Sequence, residues 1–166
     1  MVRPISGSFV IAKDESSSKL TWGGYQKTIT GIVTTTSQSE ALLDNDGIGN
    51  TSKIIEQCNG FTSSGTTGAP AAEYCAGYTF PNGKTGYLGA AGEWQAAYNN
   101  KTKVNSAITL SGGTTIPTNL YHWTSVQNDS NNSWMIDWKS GKMLDSLKVN
   151  MYYVRAFCQL SNNQNT

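Results

Sequence analysis

The chain has one histidine, His122, and it lies in the block that also holds three of the five tryptophans, residues 121–160. An imidazole can serve a nucleophile as general base, but that pair needs a third group to orient the ring, and no spacing here marks one. An exposed or scaffold-edge histidine is the simpler reading. Asp129, Asp137 and Asp145 have the chemistry of an acid/base or metal site. Interspersed with Lys139 and Lys142, they read instead as recognition charges on a solvent face. The run Asp44-Asn45-Asp46-Gly47-Ile48-Gly49-Asn50 places oxygen-bearing side chains around glycine, as calcium loops do, yet lacks the full spacing and the closing glutamate. A turn into a helix capped by Asn50 or Thr51 explains it with less. Cys58, Cys75 and Cys158 show no CxxC spacing and leave one thiol over. A Cys58–Cys75 bond is one option, and small buried hydrophobes the commoner one. With one histidine and no Cys/His cluster, neither zinc nor any other cofactor is expected.

Composition narrows the partners. The 166 residues suit a single domain. Only 14% are charged and the net charge is +1, so nothing marks a footprint for nucleic acid or for an anionic membrane. The hydrophobic share is 37%, and Gly, Ser, Thr and Asn fill the rest, which favours a loop-rich fold. No apolar run approaches the roughly 18 residues of a membrane span, and residues 9–12 are too few for a signal-peptide core.

The elements that would carry these residues are short. Strand-like patches fall at Phe9-Val10-Ile11 and Leu20-Thr21-Trp22, and residues 31–36 are β-branched enough to predict a strand. Helices are expected over residues 52–58, over 71–77 behind Pro70, over 92–98, and over 103–110 with Val104, Ala107 and Ile108 inward. Residues 60–68 read as a flexible loop and 161–166 as a frayed tail. In the last block the period is two: Trp134, Ile136 and Trp138 point one way, and Met135, Asp137 and Lys139 the other. Ser140-Gly141 supplies a hairpin turn, and residues 152–158 form the closing strand. This phase puts the tryptophans in the core rather than under a sugar ring. Tyr121, Tyr152 and Tyr153 are the better contact residues, because tyrosine gives stiff amphipathic area.

Three motifs carry a resemblance. Residues 86–94, GYLGAAGEW, are similar to a "GYLPSxGEL" element, although Gly89-Ala90 departs from it. Residues 122–127, HWTSVQ, are similar to "YWSSTE", and Ser133-Trp134 with Gly141 and Tyr153-Val154-Arg155-Ala156-Phe157 to "AW…G…YVRAF". Together they resemble C-type-lectin-fold proteins of bacteria and phages, including variable proteins of diversity-generating retroelements, over most of residues 31–160. The resemblance implies an α+β, C-type-lectin-like domain spanning residues 1–166, with a small, twisted, mainly antiparallel sheet, two or more helices and long loops. Residues 1–30 would be N-terminal strands or an extension, and 121–160 a variable ligand-binding region diversified by adenine-directed mutagenesis.

In that picture Trp123, Trp134, Ile136, Trp138, Val154 and Phe157 are scaffold. The displayed set is Tyr121, His122, Thr124, Val126, Gln127, Asn128, Asp129, Met135, Asp137, Lys139, Lys142, Leu144, Asp145 and Ser146. The implied role is a receptor-binding or adhesion domain on a phage tail or bacterial surface, meeting a cell-surface protein or glycan, with homo-oligomerisation open. Calcium-dependent lectins use Glu-Pro-Asn or Gln-Pro-Asp with Trp-Asn-Asp, and neither occurs here. Two alternatives stand beside this role: a structural module of a virion or envelope, and an enzyme like the formylglycine-generating enzymes that share the fold. The latter use a cysteine pair near the C-terminal region, where Cys158 is alone.

Overall fold

The computed structural model describes residues 8–160, so the first seven residues and the expected frayed tail lie outside it. Among the described residues the fold is α+β, with five helices and several small antiparallel sheets. Strand β1 (Phe9–Ile11) lies antiparallel to β10 (Ala156–Gln159), which pairs on its other side with β5 (Tyr87–Leu88). The two ends of the described chain therefore meet in one sheet. A second sheet has the order β6 (Tyr121–Gln127), β7 (Asn132–Asp137), β8 (Met143–Leu147), all antiparallel. Two pairs complete the strands: β2 (Leu20–Thr21) with β9 (Met151–Tyr152), and β3 (Thr62–Ser63) with β4 (Thr66–Thr67).

Helix α1 (Gln38–Ala41) starts where the Ser37 hydroxyl accepts the Glu40 N–H, a cap-and-glutamate spacing that sequence reading passed over. Helix α2 (Gly47–Cys58) begins five residues before the expected start. Its cap is Asp46, whose Oδ1 accepts the Gly49 N–H at 3.1 Å, rather than Asn50 or Thr51. Asp44 is occupied in the same turn, accepting from the Asp46 N–H and from Asn50 Nδ2. The acidic run is thus built into a helix start. Helix α3 (Pro70–Gly77) opens on its proline as expected. Helices α4 (Ala91–Asn99) and α5 (Lys101–Leu110) are divided at Asn100. In α5 Ile108 is buried and Val104 half-buried, but Ala107 faces out, against expectation.

Two further strand expectations are corrected. Residues 31–36 make only one bridge, Thr34 to Gln127. The contact stops at Thr35, whose N–H donates to Gln127 O at 3.2 Å while its carbonyl accepts from Trp134 Nε1 at 2.9 Å. The closing strand is split into β9 and β10, because Val154 is bonded through both backbone groups to Ser16 and Arg155 turns inward. The loop at 60–68 contains the β3–β4 hairpin, with Ser64 and Gly65 both at positive φ, as two-residue hairpin turns need.

The second sheet is covered on both sides, which decides how much of it can be displayed. Trp134, Ile136, Trp138 and Met143 pack with Trp94 and Phe157 in one apolar cluster, while Trp123 and Met135 pack with Trp22 and Val154 in another. The period-two pattern is therefore present, but its second phase also meets core. Each large side chain buried this way contributes about 1.5–3 kcal/mol relative to exposure.

Candidate functional site

The backbone of β6 is held by an array of buried polar side chains. Gln127 is fully buried: its Nε2 donates to Ile29 O and Thr34 Oγ1, both at 2.7 Å, and its Oε1 accepts from the Ile29 N–H and from Lys148 Nζ, both at 3.1 Å. Lys148 is equally buried, donates to Lys27 O at 2.9 Å and lies 4.6 Å from the Trp22 ring centroid. Burial pushes its ammonium down to about 8. Trp22 Nε1 donates to Thr124 O, and the Thr124 hydroxyl donates to Trp134 O while accepting the Val126 N–H. One lysine, one glutamine and one indole thereby join the segments around residues 22–34 to the strand.

A second array centres on His122. The ring is inaccessible, with Nε2 at 2.7 Å from Glu15 Oε1, and it lies against Trp94 with centroids 5.1 Å apart. Arg155 Nε is 3.4 Å from the same Glu15 oxygen, and its other nitrogens donate to the carbonyls of Ala12, Lys13 and Thr114. Burial disfavours the Glu15 charge, but His122 and Arg155 outweigh it and hold the carboxyl below its usual range. Burial holds the His122 imidazole below its ordinary value despite the Glu15 contact. Nδ1 has no partner among the described residues, and a second proton there would be a buried, unpaired donor. A neutral ring donating Nε2–H to the Glu15 carboxylate satisfies both observations. His122 is thus a structural link between the N-terminal segment and the sheet, not an exposed or edge histidine.

These contacts sort the fourteen residues expected to be displayed. Tyr121, Lys139, Lys142, Leu144 and Asp145 are exposed. Asp129 and Asp137 are half-buried and committed to turns: Asp129 accepts from the backbone of Asn131 and Asn132, and Asp137 from the Lys139 N–H and the Ser140 hydroxyl. His122, Thr124, Val126 and Gln127 are wholly buried, and Asn128, Met135 and Ser146 nearly so. Display of these seven is corrected. Val126 belongs to the same buried cluster as Trp134, Met135 lies in the core opposite Trp123, and Asn128 closes the β6–β7 turn through its N–H to Asn132 O. The Ser146 hydroxyl lies 2.9 Å from Tyr152 Oη.

Register puts Tyr121 and Leu144 on one face of the sheet, and Asp145, opposite Trp134, on the other. Tyr121 stands opposite Asp137, and Trp123, Met135 and Leu144 form a cross-strand row. Tyr152 lies across that face, in edge contact with Trp123 at 4.9 Å and with Tyr121 at 5.9 Å. The result is an aromatic and aliphatic rim of Tyr121, Tyr152 and Leu144. Lys139, Lys142 and Asp145 stand on the adjoining turn and edge strand, with exposed Leu147 beyond. The turn is firm: Gly141 N–H donates to Asp137 O, Tyr98 Oη donates to Lys139 O, and Gly141 has φ +73° with the Tyr98 ring where a Cβ would stand.

No protein-family model matches the chain, and no curated protein is significantly similar to it.

Two grooves of the molecule lie elsewhere. One of about 1140 Å³ runs between α2 and β5, past Tyr87 and Cys158, and one of about 810 Å³ between β1 and α5. None of the fourteen residues lines either. The three cysteines are buried and unbonded, so the Cys58–Cys75 option is not realised. Sequence reading passed over Glu15, Lys148 and Glu93. Glu93 lies in the GYLGAAGEW motif and is nearly buried; it accepts the Gly47 and Ala90 N–H groups and the Tyr87 hydroxyl, and burial pushes its carboxyl up to about 7. No helix among the described residues is long and apolar enough to cross a membrane.

Proposed function

We propose that this chain is a receptor-binding or adhesion domain of C-type-lectin-like fold. Its contact surface is the β7–β8 turn, the β8 edge and the aromatic rim beside them. One observation carries the reading: Tyr121 and Leu144 are exposed on one face of the sheet, and Lys139, Lys142 and Asp145 on the adjoining turn and edge strand, all on a backbone fixed from within by buried hydrogen bonds. A rigid backbone with changeable outward side chains is what recognition by complementarity requires, since little ordering entropy is lost on binding.

The surface is a sheet face and edge rather than a groove, which favours a protein or glycan surface over a small molecule. The motifs at 86–94, 122–127 and 153–157, together with the pairing of the first and last described strands, support the lectin-like fold and membership of the retroelement variable proteins. On that reading the domain sits on a phage tail or bacterial surface, where several copies would raise avidity. Diversification would act on the five exposed positions and spare His122, Thr124, Val126 and Gln127.

The test is a library randomised only at Tyr121, Lys139, Lys142, Leu144 and Asp145 and selected on immobilised serum albumin. Folded binders with parental melting temperatures are expected. Failure to yield binders, or binders whose decisive changes lie outside this face, would overturn the proposal.

A further inference from the structure

The groove between β1 and α5 lies apart from the proposed contact face. Phe9 and Ile11 of β1, Phe80 from the loop before β5, and Val104 and Ile108 of α5 give it apolar walls. Its volume of about 810 Å³ is within the range of small-molecule sites. Among the described residues its only charged lining side chains are two lysines, Lys13 and Lys103, and no carboxylate lines it. The lysines lie toward opposite ends. Lys103 is in the first turn of α5; Lys13 O accepts the Thr114 N–H just beyond the other end, near Ser111. From Lys103 to Ser111 the helix rises roughly 12 Å. Asp14 lies 3.8 Å from Lys13 Nζ, but both side chains are about half exposed, so solvent screens that pair.

Charge and apolarity together select an occupant. We propose that this groove binds a free, single-chain anionic amphiphile. Its alkyl chain would lie between Phe9, Phe80 and Val104, and its carboxylate would be taken by Lys103 or Lys13. A cation at each end lets a chain of this class enter in either direction. A positively charged amphiphile would meet repulsion at both ends, and a neutral one would lack the charge-assisted contact.

The test is isothermal titration of the full chain with monomeric decanoate, decanol and decyltrimethylammonium. Decanoate is expected to bind with one-to-one stoichiometry, decanol more weakly, and the cation not at all. Lys13→Glu with Lys103→Glu should weaken decanoate by about tenfold or more and leave decanol unchanged. Ala107→Trp, on the exposed groove side of α5, should abolish both. Circular dichroism melting checks that each variant is folded, and Ser111→Trp replaces Ala107→Trp if the latter is not. Failure of decanoate to bind, equal binding of all three amphiphiles, or binding that survives the tryptophan block would each overturn the proposal. So would light scattering that shows a second copy covering the groove, or capture by phosphatidylglycerol vesicles without binding of monomers.

Discussion

Strands β6 and β8 flank the same central strand, yet one is almost entirely inside the protein and the other mostly outside. In β6 only Tyr121 is exposed, and every residue from His122 to Gln127 is buried. In β8 Leu144, Asp145 and Leu147 reach solvent while Met143 and Ser146 do not. The difference comes from what lies beyond each strand. The outer side of β6 receives the segment around Ile29–Thr34 through Gln127, and Glu15 through His122. The outer side of β8 has no strand partner among the described residues. Variation can be absorbed at an edge whose side chains touch little, and not along a strand whose side chains serve as other segments' hydrogen-bond partners.

The sharpest way to break that contrast is to cut the buried side. Arg155→Ala removes one of the two partners of Glu15 and the donor to three backbone carbonyls, and should cost about 3–5 kcal/mol in urea unfolding. A loss under 1 kcal/mol would mean that the segment from Ala12 to Glu15 is not held as described. Gln127→Ala should cost about 2–4 kcal/mol, since it strips Lys148 of one acceptor and leaves the Ile29 backbone unpaired. Lowering of the Lys148 ammonium should become larger in that variant, measurable by NMR titration.

Next in size are two pH effects of opposite sign. The Glu93 carboxyl is raised from 4.5 to about 7 in the folded state, so between these values the folded protein holds a proton that the unfolded chain has released. Its contribution is full below pH 4.5 and is lost as pH rises toward 7, an effect of at most about 3 kcal/mol. His122 is lowered from 6.5, so its contribution is present above that pH and is lost as the solution becomes more acid. Glu93→Gln keeps an acceptor for Gly47 and Ala90. It should remove the first slope and leave stability rising with pH through the histidine range. A wild-type slope that persists in the variant would assign it to another group.

Much of this fold was legible because it rests on local signals. The Pro70 helix, the Trp94 helix and the alternation at Trp134–Ile136–Trp138 are set by spacing within a few residues. The sheet contacts of β6 were not legible. Gln127 and Thr124 are polar, and a polar residue on a strand reads as solvent-facing unless its partners, here some ninety residues away or across the hairpin, are known. The same limit hid Lys148, whose acceptors are Lys27 O and Gln127 Oε1. The strand expected at 31–36 failed for the complementary reason. Its β-branched composition is that of a strand, but its backbone meets β6 only at Thr34 and Thr35, and the Trp134 indole takes the Thr35 carbonyl.

The smallest effects belong to the exposed side. Leu144→Ser, Asp145→Lys and Lys142→Glu should each change stability by no more than about 0.5 kcal/mol, read from melting curves. Gly141→Ala is the exception on this side. Positive φ and the Tyr98 ring should make it cost more than about 1 kcal/mol, and so separate the fixed turn from the free side chains it carries.

The contrast between the two flanks is tested most directly by protease resistance of two displayed libraries. One is randomised at Tyr121, Lys139, Lys142, Leu144 and Asp145, and the other at His122, Thr124, Val126 and Gln127. Most members of the first should stay folded, and almost none of the second. Equal survival of the two libraries would contradict the assignment of β6 as scaffold and the β8 edge with its turn as display.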